Sequence, residues 1–585
     1  MIRYNKKTFA IISLSFICVA FVYGAKRTKN VSAPVSFKEY PVKCVDNGLG
    51  KPKSYAFANG ALISFRYDKS GRLIKLTWPD QSFVIYRYSR NLISEKLESG
   101  RTTNYEYDDF GRMVKKVVSQ EGSVLTETRT YDSKGNLTSV CENGKSIITF
   151  IYDRYGRKLI ETGPSGIIKY LYDRLGRLAI REVKINDSPT KFQTYFGYDG
   201  RGRIARITSP SGRFIFTWSK KFKKLSRIEM FLSKTFMQKK QPSYVIQNKF
   251  DNEGRHVSKY ITINSNNTEK FSYIKYNEQG QITQLESFDI EWNYQYNEFN
   301  RLVSAKNNKG LEYKYSYDSV GNCIPDNDLK LSYDNMWRIN SPGYRYDTYG
   351  NLVESPGIQY KYDLKNRLIE KKTKTKITRY QYDPLDQITS CEITDLINPT
   401  KSMKTNYLMS DMIEYASYSG GVAVYHTYTP NVIDKVNRFK NLMILLASTR
   451  TNNRAVYYLT GMDNNVIADF DTTQIKVKNK VFYSPFGKVH SYNQQIPFPL
   501  GFKSMFSPDG SLYYYKGRFY DPELLCYLTL NPVLGKEGNP YLFVNNNPIG
   551  MKKSFIELNE HDKEGHLDFP LKPDLKDIFN LKNSK

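Results

Sequence analysis

One phrase recurs along this chain, and it constrains the fold more than any other feature. Tyr67-Asp68-Lys69-Ser70-Gly71-Arg72-Leu73 returns as Tyr107-Asp108-Asp109-Phe110-Gly111-Arg112-Met113, then as Tyr131-Asp132-Ser133-Lys134-Gly135-Asn136-Leu137, Tyr152-Asp153-Arg154-Tyr155-Gly156-Arg157 and Tyr172-Asp173-Arg174-Leu175-Gly176-Arg177-Leu178. It recurs at Tyr198, Tyr317 and Tyr346, without the glycine at Tyr362 and Tyr382, and in weaker form at Tyr88, Phe250, Tyr276, Tyr296 and Tyr333. A period near twenty residues marks an array whose units bury their faces on one another, so a length-based count of about four domains does not apply.

Each unit reads as a hairpin. Asp followed three places later by Gly fits a type I turn, with Gly in the left-handed position that closes a bulged hairpin. Aromatic residues precede the turn at i and i+2, as in Tyr86/Tyr88, Tyr105/Tyr107, Tyr170/Tyr172, Tyr294/Tyr296, Tyr360/Tyr362 and Tyr380/Tyr382, which sets them on one face of a strand. The composition agrees: 48 Tyr and 32 Phe stand against 4 Trp and 5 His, rich in flat apolar surface and poor in the residues of His-based catalysis. With 40% hydrophobic and 25% charged residues over 585 positions, a large core is available and disorder is excluded as the main state.

The phrase resembles the YD repeat of the Rhs family, which includes the shells of bacterial toxin complexes and of teneurins. The resemblance implies an all-β fold, a β-hairpin ribbon spiralling into a hollow shell. Further along, Tyr457-Tyr458-Leu459-Thr460, Asn464 to Ala468 and Tyr483-Ser484-Pro485-Phe486-Gly487 are similar to the lead-in of the Rhs-associated core. The core itself resembles Gly510 to Pro522 followed by Asn539 to Pro548. The expected division is a signal peptide at 1–24, a linker at 25–54, the repeat array at 55–383, divergent repeats with a short helix near Val436 to Leu446 at 384–455, the core-like region at 456–554 and a tail at 555–585.

Two departures from the family pattern shape the functional expectation. Family shells commonly cut themselves after the core with an Arg and two later Asp residues that each precede Pro, an arrangement suited to acid/base peptide hydrolysis. Arg518 is retained, but Asn531 stands at the first Asp position, and Lys553 or Ser554 at the second. An amide relays no proton and a lysine has the wrong charge, so no catalytic residue is expected, and Arg518 with Asp521 is read as a structural pair. Secondly, only 31 residues follow Ser554, too few for an ordinary toxin domain. About forty strands at 4.8 Å spacing would close into a sphere of radius about 19 Å, too small inside for a compact 100-residue cargo of about 17 Å radius.

The N-terminus reads as an export signal: Arg3, Lys6 and Lys7 precede an apolar run from Phe9 to Val22, with small residues near Gly24. As a helix this run reaches about 21 Å, short of the roughly 30 Å hydrocarbon core, so cleavage is preferred to anchoring and no transmembrane segment is expected afterwards. Five cysteines remain, Cys44, Cys141, Cys323, Cys391 and Cys526, read mostly as buried free thiols. His561 and His566 near Asp562 and Glu564 read as solvated tail rather than metal ligands. Asp463, Asp469 and Asp471 lack calcium-loop spacing, and no cofactor is expected.

The formal net charge is +29. Lys220, Lys221, Lys223, Lys224, Arg227, Lys234, Lys239 and Lys240 crowd one long repeat interval that reads as a protruding loop, either solvated or a contact for an anionic polymer. The leading expectation is a secreted, non-enzymatic shell or scaffold at the surface or in the periplasm of a bacterium, with a small cargo or its own tail inside and no specific nucleic acid. The alternative is an adhesin-like module binding surface glycans or other anionic polymers. A third, enzymatic reading keeps a small effector in the tail.

Overall fold

In the computed structural model, which describes residues 43–46, 51–232, 241–263, 267–326, 330–411, 413–428, 445–451, 455–471, 476–491, 501–515, 517–531 and 539–549, copies of the repeated phrase close antiparallel hairpins. Asp153 shows the turn chemistry. Its carboxylate accepts hydrogen bonds from the amides of Tyr155 and Arg157 at 2.8 and 2.9 Å, and the Gly156 amide donates to its carbonyl at 3.1 Å. Gly156 sits at φ 77°, where a Cβ is strained. Where the phrase lacks glycine, Asn366 and Asp386 take the left-handed position at 60° and 63°, these being side chains that tolerate it. The register slips just before many of the repeat tyrosines, between Ile151 and Tyr152, Leu171 and Tyr172, and Gln381 and Tyr382, so a bulge sets that tyrosine at the rim of the sheet.

The rim is then laced from unit to unit. Arg157 Nε donates to Asp153 at 2.6 Å while its guanidinium lies 4.5 Å over the Tyr172 ring of the next unit; Arg177 repeats this with Asp173 at 2.7 Å and Tyr198 at 4.4 Å. Each of these tyrosines donates its hydroxyl back to the strand just beyond the previous turn: Tyr152 to Leu137 O at 2.8 Å, Tyr172 to Lys158 O at 2.8 Å and Tyr198 to Leu178 O at 2.7 Å. The arginine thus neutralises its own turn and carries the next tyrosine, a linkage the sequence reading of the phrase did not assign.

Every strand pairs antiparallel with its neighbour in sequence, in a sheet of 26 strands from Lys43–Asp46 to Cys323–Pro325 and another of 13 from Arg345–Tyr346 to Lys476–Lys478. Burial alternates along the strands: Ile148 and Phe150 are buried between exposed Ile147 and Ile151. The second sheet follows the first in the same order. Asn366 meets Arg101 at 2.9 Å, Ser410 meets Glu161 at 2.8 Å, Tyr425 meets Thr190 at 2.6 Å, Thr449 meets Ser211 at 2.5 Å and Thr460 meets Lys259 at 2.8 Å. The order is kept while the chain separation stays between 201 and 265 residues, so the ribbon winds past itself. Phe214, Phe216, Met230, Ile246 and Phe271 of the first passage pack with Leu446, Ala447, Tyr457 and Leu459 of the second.

The two ends of the first-passage hairpins differ. Turns opposite the repeated phrase, at Ser165, Thr190 and Ser211, meet the second passage, whereas the phrase turns from Asp108 to Lys224 form the other rim. Among the described residues the helices are 3-10 turns of three residues, and no helix is long and apolar enough to cross a membrane. Leu445 and Leu446, expected to end a short helix, instead open the strand Leu445–Arg450; the rest of that expectation and the signal at 1–24 lie outside the described residues. The five cysteines are free, Cys323 and Cys391 buried and Cys44 exposed.

Candidate functional site: the core-like segment and the basic turn

The core-like residues fold as short strands, among them Val481–Tyr483, Tyr513–Tyr515 and Arg518–Asp521, whose aromatic rings enter the inner face of the ribbon. Phe486 meets Tyr315 at 5.0 Å between ring centroids, Phe519 meets Tyr380 at 4.8 Å, Phe506 meets Tyr407 at 4.9 Å and Tyr541 meets Tyr346 at 5.8 Å. These edge and tilted contacts add to burial of the rings themselves. Hydroxyls fix the register: Tyr541 donates to Gly350 O at 2.8 Å and Tyr520 to Phe486 O at 2.8 Å. The segment covers a face formed by the last repeats of the first sheet and by repeats of the second.

Arg518 lies inside this packing. Its guanidinium donates to the carbonyls of Thr529 and Pro540 at 3.3 and 3.2 Å and lies 3.9 Å over the Tyr527 ring, so it ties together the two stretches that flank Asn531. The Asn531 amide donates to Pro540 O at 3.0 Å. Asp521 accepts from the amides of Glu523 and Leu524 at 2.8 and 3.2 Å, and burial pushes its carboxyl above the usual range. At position 531 the side chain offers hydrogen bonds and no proton exchange near neutral pH. Lys553, Ser554 and the tail with His561 and His566 lie outside the described residues.

The basic residues do not share one loop. Lys220, Lys221, Lys223 and Lys224 sit exposed on the turn between the strands Gly212–Trp218 and Leu225–Leu232. Leu225–Leu232 is a strand because Ile228, Met230 and Leu232 alternate into the core, and it separates this turn from Lys234, Lys239 and Lys240, which lie outside the described residues. Lys224 Nζ donates to Gly254 O at 2.6 Å, and Arg227 pairs with Glu229 at 2.8 Å, so these two cations are already engaged.

Two polar clusters escaped the sequence reading. Lys365 and Arg367, on a phrase turn of the second passage, are buried against the first passage: Lys365 Nζ stands 2.6 Å from Asp386 and 3.4 Å from Glu142, and Arg367 stands 2.6 Å from Asp363, 2.7 Å from Glu142 and 3.1 Å from Asp386. Buried His426 stands 2.9 Å from Glu414 and 2.7 Å from Ser448. Asp363 stands at the phrase's own spacing from Arg367, but Glu142 is 225 residues away and Glu414 reaches His426 from a neighbouring strand, so the spacing within the phrase does not announce these clusters. Among the described residues no group of three or more His, Cys, Asp or Glu is placed to hold a metal ion.

The decisive comparison is with whole families. Residues 221–549, more than half of the chain, match the family model Teneurin YD-shell, and residues 91–124 match RHS Repeat. The chain belongs to the teneurin YD-shell family. It is 24% identical to human Teneurin-4 over 86% of its length and 22% identical to zebrafish (Danio rerio) Teneurin-3 over 84%, covering 19% and 18% of those proteins. It is 24% identical to the tRNA nuclease WapA of Bacillus subtilis over 43% of its length and 11% of the relative's. The chain therefore spans less than a fifth of the curated relatives it matches. Among solved structures it is similar to the Photorhabdus luminescens Tc holotoxin pore at 13% identity and TM-score 0.34, covering 88% of this chain and 35% of that one.

Proposed function

We propose that this YD-shell chain is a non-catalytic scaffold acting outside the cell that makes it. The observation that carries the reading is the filled inner face: Phe486, Phe506, Phe519 and Tyr541 occupy the ribbon where it would otherwise be open. Arg518 in this reading is a staple between Thr529 and Pro540 rather than part of a cleavage site. General acid and base groups are each worth about 10² to 10⁴ in rate, so Asn531 leaves self-cleavage without a needed proton carrier. The export-like start and the kinship with teneurins support a role beyond the membrane. Freshly purified protein carrying a C-terminal tag should run as one species near its full mass on a denaturing gel. A small tagged fragment that disappears in Arg518→Ala would overturn the reading.

The exposed Lys220–Lys224 turn favours a second reading, a surface module that meets an anionic partner. Changing Lys220, Lys221 and Lys223 to Gln should then lower the salt needed to release the protein from heparin. Unchanged release would remove that support.

A further inference from the structure

The outer rim of the first passage carries both exposed apolar groups and an excess of cations. We propose that this rim, from the turn at Asp108–Arg112 to the turn at Ser219–Lys224, docks on an anionic lipid bilayer, with Phe110, Tyr155 and Leu175 entering the headgroup layer. The inference narrows the second reading to one partner and is independent of whether the ribbon encloses anything.

Successive phrase turns lie two strands apart, about 10 Å, so this rim presents a row about 50 Å long. Phe110, Tyr155 and Leu175 stand at the third position of their turns and are 85%, 67% and 76% exposed. The same position in later copies is covered: Val320 and Met336 are each 4% exposed, and Tyr349 lies 3.6 Å under the Arg101 guanidinium. At this phrase position, among the described residues, large apolar tips are thus covered where the ribbon meets itself and bare on the first-passage rim; elsewhere Ile397, on a turn outside the phrase, is also 75% exposed.

The same stretch is strongly basic. From Asp108 to Lys224 the chain has 23 Lys and Arg against 12 Asp and Glu, the acid Asp109 standing exposed beside Phe110 on the first of these turns. Asp153, Asp173 and Asp199 are already neutralised by Arg157, Arg177 and Arg203. Lys134, Arg154, Arg174, Arg201 and Lys220 stand exposed on successive turns, and beyond them the turn tips change sign at Glu253, Glu278 and Glu298. A cationic row with apolar tips is the footprint of an interfacial lipid site, in which apolar insertion and attraction to anionic headgroups add. Leu175 decides between lipid and polymer: it has neither a ring to stack on sugars or bases nor a group to hydrogen-bond them. What it shares with Phe110 and Tyr155 is apolarity alone.

The test is sedimentation of the full chain with vesicles of equal parts phosphatidylcholine and phosphatidylglycerol, beside vesicles of phosphatidylcholine alone. Binding is expected to the anionic vesicles and to weaken with salt. The combined change Phe110→Ser, Tyr155→Ser, Leu175→Ser should reduce it at least about tenfold, as should Arg154→Gln, Arg174→Gln, Arg201→Gln. These side chains are exposed, so circular dichroism and the unfolding midpoint should not move. In Tyr155→Trp, brominated acyl chains should quench the new fluorophore. Failure to bind anionic vesicles, binding indifferent to the apolar triple change, or an unquenched Trp would each overturn the proposal. Retention on heparin or DNA without vesicle binding would do so too, while leaving an anionic polymer as the partner.

Discussion

The turn at Asp173–Arg177 and the turn at Asp383–Gln387 are the same hairpin in different surroundings. Both Asp side chains accept the amides two and four residues on, at 2.9 and 2.9 Å for Asp173 and at 2.8 and 2.9 Å for Asp383. Asp173 lies on the open rim, where the hydrogen bond from Arg177 holds its carboxyl below the usual range. Asp383 lies where the second passage meets the first, is 4% exposed and has Gln387 in place of the arginine, so burial pushes it up to about 7. The phrase therefore fixes the turn, while contact between passages decides whether its charges are cheap surface pairs or parts of a buried network.

Breaking the network should have the largest effect. Arg367→Met leaves Glu142, Asp363 and Asp386 without a close guanidinium and should cost about 3–5 kcal/mol, whereas Arg177→Met on the open rim should cost under about 1 kcal/mol, both read from chemical denaturation. Equal costs would mean that the passages do not seal. Next comes Asp383→Asn, which keeps the acceptor oxygen and removes the carboxyl. Because the folded group titrates near 7 and the unfolded one near 3.8, the cost of ionising it is fully present above pH 7 and relieved as pH falls toward 4. The variant should be more stable than the parent at pH 8 by about 2–4 kcal/mol and nearly equal at pH 4. Asp386, held below its usual range against burial by Lys365 and Arg367, has the opposite slope: its contribution is present above the ordinary carboxylate pKa and lost as pH falls below it. The lacing hydrogen bond is of the same small order as Arg177→Met: Tyr172→Phe removes the bond to Lys158 O and should cost about 1 kcal/mol by the same measurement.

Much of this architecture was legible because it is local. The spacing of Asp and Gly within the phrase specifies the turn, and Tyr170 and Tyr172 at i and i+2 specify the strand face. The stacking of Arg157 on Tyr172 was available in principle, since an Arg or Asn follows Asp by four residues in copy after copy, but its partner belongs to the next unit. Leu225–Leu232 was hidden by its lysine-rich flanks although Ile228, Met230 and Leu232 alternate. Glu142 with Arg367 and Glu414 with His426 were not legible: winding of the ribbon, or a neighbouring strand's register, brings those residues together. At the core-like segment the sequence located Arg518 and Asn531, but not that Thr529 and Pro540 would be the carbonyls Arg518 holds.

Turns of the same backbone geometry differ in surroundings because the second passage is sealed against the first, and amide hydrogen exchange compares both rims in one sample. The amides of Asn366 and Asp386 donate within their turns as those of Gly156 and Gly176 do, at 2.9 to 3.1 Å, so the bonds themselves do not distinguish the two sets. If the passages seal, exchange in residues 363–367 and 383–387 should be slower than in residues 153–157 and 173–177 by at least about tenfold after correction for intrinsic rates, because opening must break the buried network. Equal protection at both rims would contradict the seal.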